Sequence, residues 1–274
     1  MEKIQLGLIV GASERPQESL QRVAQLGFPT CQLSATAERV VECLRPQQIR
    51  AAASDAGVRV SSFFLVFEGQ IFNLKDGPST MGLVAEAHRH KRADLFKQSS
   101  DKIRQMGVDS ITSHIGFIPD DADDPVYTGF VEVMRDVAAY CASNGQVVCF
   151  ETGQELPSTL KRTILDVGTG NLFVNLDPAN LILYGKADPL DAAEIFGEYV
   201  RGMHAKDGVW PNRDEVLGHE TVLGEGRVRF HLLIPRLKAK GFRGPITIER
   251  EISGSQQEID ILKAKALLDP YLGL

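Results

Sequence analysis

Four residues able to hold a divalent cation recur in the second half of this chain, each near the end of a short β-rich run. Glu151 stands in VVCFETGQE, Asp177 in LFVNLDPAN, His204 in VRGMHAKD and Glu249 in ITIERE. Three carboxylates and one imidazole make a hard, oxygen-rich donor set. That set suits Mn²⁺, Mg²⁺ or Co²⁺, and the missing thiolate argues against a structural zinc centre. Taken singly, each acid reads equally well as a helix cap or as a partner of Arg or Lys at the rim. Four together read as one site, because an isolated buried carboxylate either neutralises or finds a cation.

Period-two alternation adds neighbours on the same faces. His204 shares its face with Lys206, Glu249 with Glu251, Asp177 with Asn175, and Glu151 with Gly153. His114 closes the run SITSHIGF and reads equally as a core residue or as a pocket residue. Lys206 is balanced between a rim ion pair and a substrate ligand. Asp207 and Glu155 read as supporting or rim groups. Gly224-Glu225-Gly226 reads as a plain turn rather than a phosphate cradle, since a glutamate between the glycines repels anions. The cluster His88-Arg89-His90-Lys91-Arg92 has the wrong spacing for a ligand set and reads as a solvated helix start.

These residues need a scaffold that brings strand ends together. Eight strand runs are predicted: Ile4–Val10, Thr30–Ser34, Arg59–Leu65, Ser110–Gly116, Val147–Gly153, Leu172–Pro178, Val200–Asp207 and Ile246–Glu251. Amphipathic stretches lie between them, among them Gln17–Leu26, Pro46–Ala56, Leu95–Met106 and Phe130–Ser143. Gly27, Gly57, Gly107, Gly145 and Gly241 are placed as left-handed helix ends, and Pro46, Pro157 and Pro189 as helix starts. Eight such βα units in 274 residues predict one (β/α)8 TIM barrel over residues 1–274, with its active site at the C-terminal mouth. A doubly wound sheet would bring a Gly-rich phosphate loop early on, and GLIVGASE is not one. The long connections from Val66 to about Lys91, and from Gly208 to about Arg227, would stand over that mouth as lids.

Bulk properties narrow the partners. Thirty-six acidic against 30 basic side chains give a net charge of −6 and argue against a nucleic-acid partner. Cys31, Cys43, Cys141 and Cys149 lie far apart with no C-x-x-C pair, which points to a reducing compartment and a cytoplasmic protein. No apolar run reaches membrane length, so no membrane partner is expected.

SHIGF, FETGQE, NLDPANLILYG, MHAKDG, LGEG and ITIERE, in this order, resemble the xylose isomerase-like TIM-barrel superfamily. They are most similar to its sugar-phosphate isomerase/epimerase group, which includes ketose 3-epimerases, inosose dehydratases and apurinic endonucleases. The resemblance implies one divalent metal on Glu151, Asp177, His204 and Glu249, Mn²⁺ first, with Mg²⁺, Co²⁺ or Zn²⁺ as alternatives. It also implies that Glu151 and Glu249 exchange a proton with the substrate from opposite faces. His114, Asn180, Lys206, Glu155 and Arg213 are the expected substrate contacts.

Two departures bear on the substrate. Asn180 stands where ketose epimerases carry a histidine, and Glu155 has a shifted spacing. The endonuclease branch needs many more ligand histidines than His114 and His204 supply. The expected activity is isomerisation or epimerisation of a ketose, keto-cyclitol or sugar phosphate. An inosose-type dehydratase is the alternative, and a non-catalytic sugar-binding barrel a third. The absence of a convincing Arg/Lys and Gly cradle favours an unphosphorylated substrate. A homo-oligomer is left open.

Overall fold

A computed structural model describes residues 4–213 and 215–273. Eight parallel strands close into a barrel: β1 (Leu6–Gly11), β2 (Thr30–Thr36), β3 (Arg59–Val66), β4 (Ser110–Ser113), β5 (Val147–Glu151), β6 (Leu172–Leu176), β7 (Val200–Ala205) and, after a short antiparallel hairpin of β8 (Asp207–Val209) and β9 (His219–Thr221), β10 (Ile246–Ile248). The order around the barrel is β1-β10-β7-β6-β5-β4-β3-β2, so chain order is barrel order apart from the hairpin. Parallel strands need crossover connections, and the helices between them form the outer layer.

The eight expected strands are the eight barrel strands; β1, β2 and β3 run on to Gly11, Thr36 and Val66, and later strands end early. β4 stops at Ser113 rather than Gly116, β6 at Leu176 rather than Pro178, and β10 at Ile248 rather than Glu251. His114, Asp177 and Glu249 therefore sit just beyond the ladder, where backbone direction is free to turn each side chain inward. The helix expected at Leu95–Met106 runs from Arg89 to Gln105, and the one expected at Phe130–Ser143 starts at Pro125. Pro46, Pro157 and Pro189 open helices as expected. Gly57 ends its helix in the left-handed region at φ 65°, and Gly27, Gly107, Gly145 and Gly241 also have positive φ.

The cluster His88–Arg92 corrects the sequence reading. Arg89 and Arg92 are only 6% and 4% exposed, not solvated. Arg89 donates to the carbonyls of Leu83, Val84 and Val126, and Arg92 to those of Thr80, Gly82 and Glu68. Both guanidiniums tie down the β3–β4 connection, whose irregular backbone would otherwise leave carbonyls unpaired. The tie-down keeps that connection, with Phe72 in it, over the barrel mouth.

Aliphatic and aromatic side chains fill the layer between strands and helices. Inside the barrel the lower layers are polar instead. Gln32, Ser62, Thr112, Asn175 and Thr247 are buried there and line a cavity of about 170 Å³. Barrels of this type usually carry branched aliphatic residues in those layers. No helix among the described residues is long and apolar enough to cross a membrane. All four cysteines are free.

Candidate functional site

Glu151 is the last residue of β5 and pairs in register with Asn175 on β6. Asn175 Nδ2 donates to Glu151 Oε2 at 2.5 Å, which leaves the other oxygen, Oε1, facing His204. Asp177 follows β6 and caps the helix Pro178–Leu183. Its Oδ1 accepts from the Asn180 amide at 2.9 Å, while Oδ2 is buried without a partner. Thr152 locks the Asp177 backbone, accepting from its N–H and donating to its carbonyl, both at 2.8 Å.

His204 lies within β7, and Glu249 follows β10, its N–H held by Ala205 O at 3.2 Å. His204 Nε2 faces Gln32 Oε1 at 2.5 Å. Its Nδ1 faces Glu151 Oε1 at 2.7 Å and Glu249 Oε2 at 3.1 Å, without the direction of a hydrogen bond to either.

One ligand atom from each of Glu151, Asp177, His204 and Glu249 lies within 4.8 Å of all the others. The four expected ligands are thus brought together. Two buried atoms that lack hydrogen-bond partners, Asp177 Oδ2 and His204 Nδ1, lie 4.0 Å apart in this cluster. A divalent cation between them would satisfy both, and the donor chemistry suits a hard or borderline ion.

Without such an ion the charges compensate one another. Burial pushes Glu151 up and Asp177 up to about 7, against the pull of nearby cations. Burial also works against a charged His204 and a charged Lys206, but facing carboxylates outweigh it and hold both above their ordinary values. Glu249 goes the other way: Lys206 and His204 overcome its burial and lower it. Lys206 Nζ lies 3.2 Å from Asp177 Oδ2, 3.4 Å from Glu249 Oε2 and 2.8 Å from Glu251 Oε1. It is a buried ion-pair residue, held back from the open mouth.

A pocket of about 390 Å³ opens above the cluster. Phe64, Phe72, Tyr184 and Leu217 form apolar walls, and His114, Asn180, Glu249 and Glu251 supply the polar groups. Phe72 and Leu217 come from the two long connections, so both stand at the mouth as expected. His114 packs edge-on to Phe64 and Phe72, with ring centroids 5.6 and 5.4 Å away. Burial, then Lys206, lower its pKa to about 3, so it is neutral at pH 7.

Glu155 is 4% exposed, its Oε1 has no partner, and burial pushes it up to about 8. Arg213 stands exposed on its loop and does not line the pocket. The LGEG turn forms no cradle. Asp207 accepts from the amides of Gly208, Gly224, Gly226 and Val228 at 2.9–3.1 Å, taking the donors a phosphate would use.

Sequence reasoning passed over Gln32, Gln154 and the apolar walls. Gln32 had a signal: a lone amide inside the apolar strand TCQLS must find a buried partner. Gln154, 3.5 Å from His114 Nδ1, and Phe72 had none, since irregular segments bring them to the mouth.

Residues 20–266 match the family model described as xylose isomerase-like TIM barrel. Among curated proteins none matches the chain by sequence. A xylose isomerase domain protein from Planctomyces limnophilus is 33% identical, with TM-score 0.90 over 98% of both chains. D-Psicose 3-epimerase from Clostridium cellulolyticum H10, solved with D-tagatose, shares the fold at TM-score 0.74 and 15% identity, over 99% of this chain and 100% of that one. A xylose isomerase-like TIM-barrel protein from Mycobacterium smegmatis, solved with magnesium, matches at TM-score 0.66 and 18% identity, over 94% and 89%.

Proposed function

This chain belongs to the xylose isomerase-like TIM-barrel family, and from that premise we propose that it is a divalent-metal-dependent isomerase or epimerase of an unphosphorylated ketose or keto-cyclitol. The observation that carries the reading is the four-donor cluster, with two buried atoms in it that lack a hydrogen bond. Mn²⁺ or Mg²⁺ suits three carboxylates and an imidazole, and the M. smegmatis relative was solved with magnesium.

A bound ion would supply polarisation of the substrate carbonyl, which acidifies the neighbouring C–H. The residues divide the remaining work. Glu151 and Glu249 flank the cluster from β5 and β10, with β6 and β7 between them. Each carboxylate has a second oxygen, so each can hold a metal through one atom and move a proton with the other. Two bases on opposite faces invert a carbon; one base on one face shifts a carbonyl. Neutral His114 and Asn180 can hydrogen-bond sugar hydroxyls, and the aromatic walls can cover the C–H faces and exclude water. Among the described residues the pocket wall carries Glu249 and Glu251 but no Arg or Lys, which supports an uncharged substrate.

The test is a panel of keto-sugars and inososes incubated with Mn²⁺-loaded protein in D₂O and followed by NMR. Deuterium entering the carbon beside the carbonyl, with an epimer or isomer as product, is the expected result. Loss of water from an inosose would assign the dehydratase instead. No exchange into any member would overturn the enzyme reading.

A further inference from the structure

A hydrogen-bonded ladder crosses the polar barrel core, from the backbone of β4 to the imidazole of His204. Ser62 Oγ donates to the Ser110 carbonyl at 3.1 Å and lies 3.0 Å from Thr112 Oγ1. Gln32 Nε2 donates to Thr112 Oγ1 at 3.3 Å, and Gln32 Oε1 lies 2.5 Å from His204 Nε2. Gln32, Ser62, Thr112 and His204 are all buried, and the first three line the core cavity.

The ladder has a direction. A backbone carbonyl can only accept, and a hydroxyl has a single proton. With its proton on the Ser110 carbonyl, or on the Ser110 hydroxyl 3.2 Å away, Ser62 can only accept from Thr112. Thr112 then has no proton left for Gln32 and must accept from the Gln32 amide. That turns the Gln32 carbonyl oxygen toward His204, so the neutral imidazole that a metal would bind carries its one proton on Nε2. Nδ1, which faces Glu151, Asp177 and Glu249, is left as the atom available to a cation. Reversing Gln32 would put a proton donor against Nε2 and move the imidazole proton to Nδ1, where it would block a ligand.

We propose that Gln32 is the positioning residue of the metal centre: the Ser110–Ser62–Thr112–Gln32 ladder holds His204 in the tautomer that offers Nδ1 to the cation. The inference rests on the metal site proposed above and adds the device that orients its imidazole. Partners behind a metal-ligating histidine raise affinity by about 10- to 100-fold. The ladder places that contribution in the barrel core, on strands that carry none of the four ligands apart from His204 itself.

The experiment titrates Co²⁺ alone into the full chain, reading its visible spectrum and the heat of binding. Gln32→Met keeps the side-chain length but removes both amide groups, and should bind Co²⁺ about 10- to 100-fold more weakly. Gln32→Glu keeps an acceptor that cannot be turned round, and should bind at least as tightly as wild type. Thr112→Val removes the hydroxyl and should weaken binding, while Thr112→Ser should restore it. In the Mg²⁺-loaded wild type, two-bond ¹H–¹⁵N correlations should find the His204 proton on Nε2. Wild-type affinity in folded Gln32→Met and Thr112→Val would overturn the inference. Equal weakening in all four variants would overturn it too, since packing and not polarity would then be at stake. A wild type that binds no Co²⁺ would instead remove the metal site itself.

Discussion

Lys206 places its ammonium 3.2 Å from the one Asp177 carboxylate oxygen that has no hydrogen-bond partner, and both side chains are buried. The pair balances part of an acid cluster that a divalent ion would otherwise balance. Removing one partner of a buried pair leaves an uncompensated charge and costs about 3–5 kcal/mol. Lys206→Met should therefore destabilise the chelator-treated protein by about that amount, and the Mn²⁺-loaded protein by clearly less. Urea unfolding in the two conditions measures the difference. Equal losses would mean that Lys206 and the ion do not share a role.

Asp177 has two separable tasks, because Oδ1 caps the helix Pro178–Leu183 and Oδ2 faces the cluster. Asparagine is as good an N-cap as aspartate but a poorer ligand for a hard cation. Asp177→Asn should keep the fold and lose most of its Mn²⁺ affinity, and His204→Ala should lose it too. Metal analysis with calorimetry checks both. Stoichiometric binding in the two variants would sink the ligand assignment.

Glutamine retains an oxygen ligand while removing the proton acceptor. Glu151→Gln and Glu249→Gln should weaken metal binding as Asp177→Asn does and, at saturating metal, should lose at least ~10²-fold in kcat, the lower end for a general base. With two bases, one variant should still exchange the substrate proton with D₂O without completing inversion. Near-normal turnover in a metal-loaded variant would move the search for a base to Glu251, Lys206 and His114.

Burial raises the Glu155 pKa from 4.5 to about 8. Between those values the folded protein keeps a proton that the unfolded chain releases. Stability from this group is therefore present in acid and lost as pH rises through the window, by up to ~1.4 kcal/mol per unit. Glu155→Gln is neutral throughout. Its stability advantage over wild type should be clear at pH 8 and close toward pH 5 in denaturant titrations. A gap independent of pH would show that Glu155 is ionised in the folded state.

No Arg or Lys among the described residues lines the mouth wall, which predicts a preference for uncharged ketoses. Measuring kcat/KM on matched free and phosphorylated substrates tests it. A large preference for the phosphate would end the idea and turn attention to Arg213 and Lys206.

The barrel and its four strand-end donors were legible from residue order because both follow from local rules. Alternating β-rich and amphipathic runs, with proline at helix starts and glycine at helix ends, specify βα units. Eight parallel units close in chain order, which carries Glu151, Asp177, His204 and Glu249 to one mouth with no knowledge of contacts.

What folding had to settle were choices that depend on long-range partners. Lys206 became an ion-pair residue because three carboxylates from other strands reach it first. Asp207 took the amides of the LGEG turn, ending its use as an anion cradle. Arg89 and Arg92, charged and adjacent to a helix start, went inside because only the folded β3–β4 connection offers them its carbonyls. Gln32 met His204 across 172 residues of chain. A hydrogen bond depends on which buried group is nearest in space, and strand pairing decides that where local pattern does not.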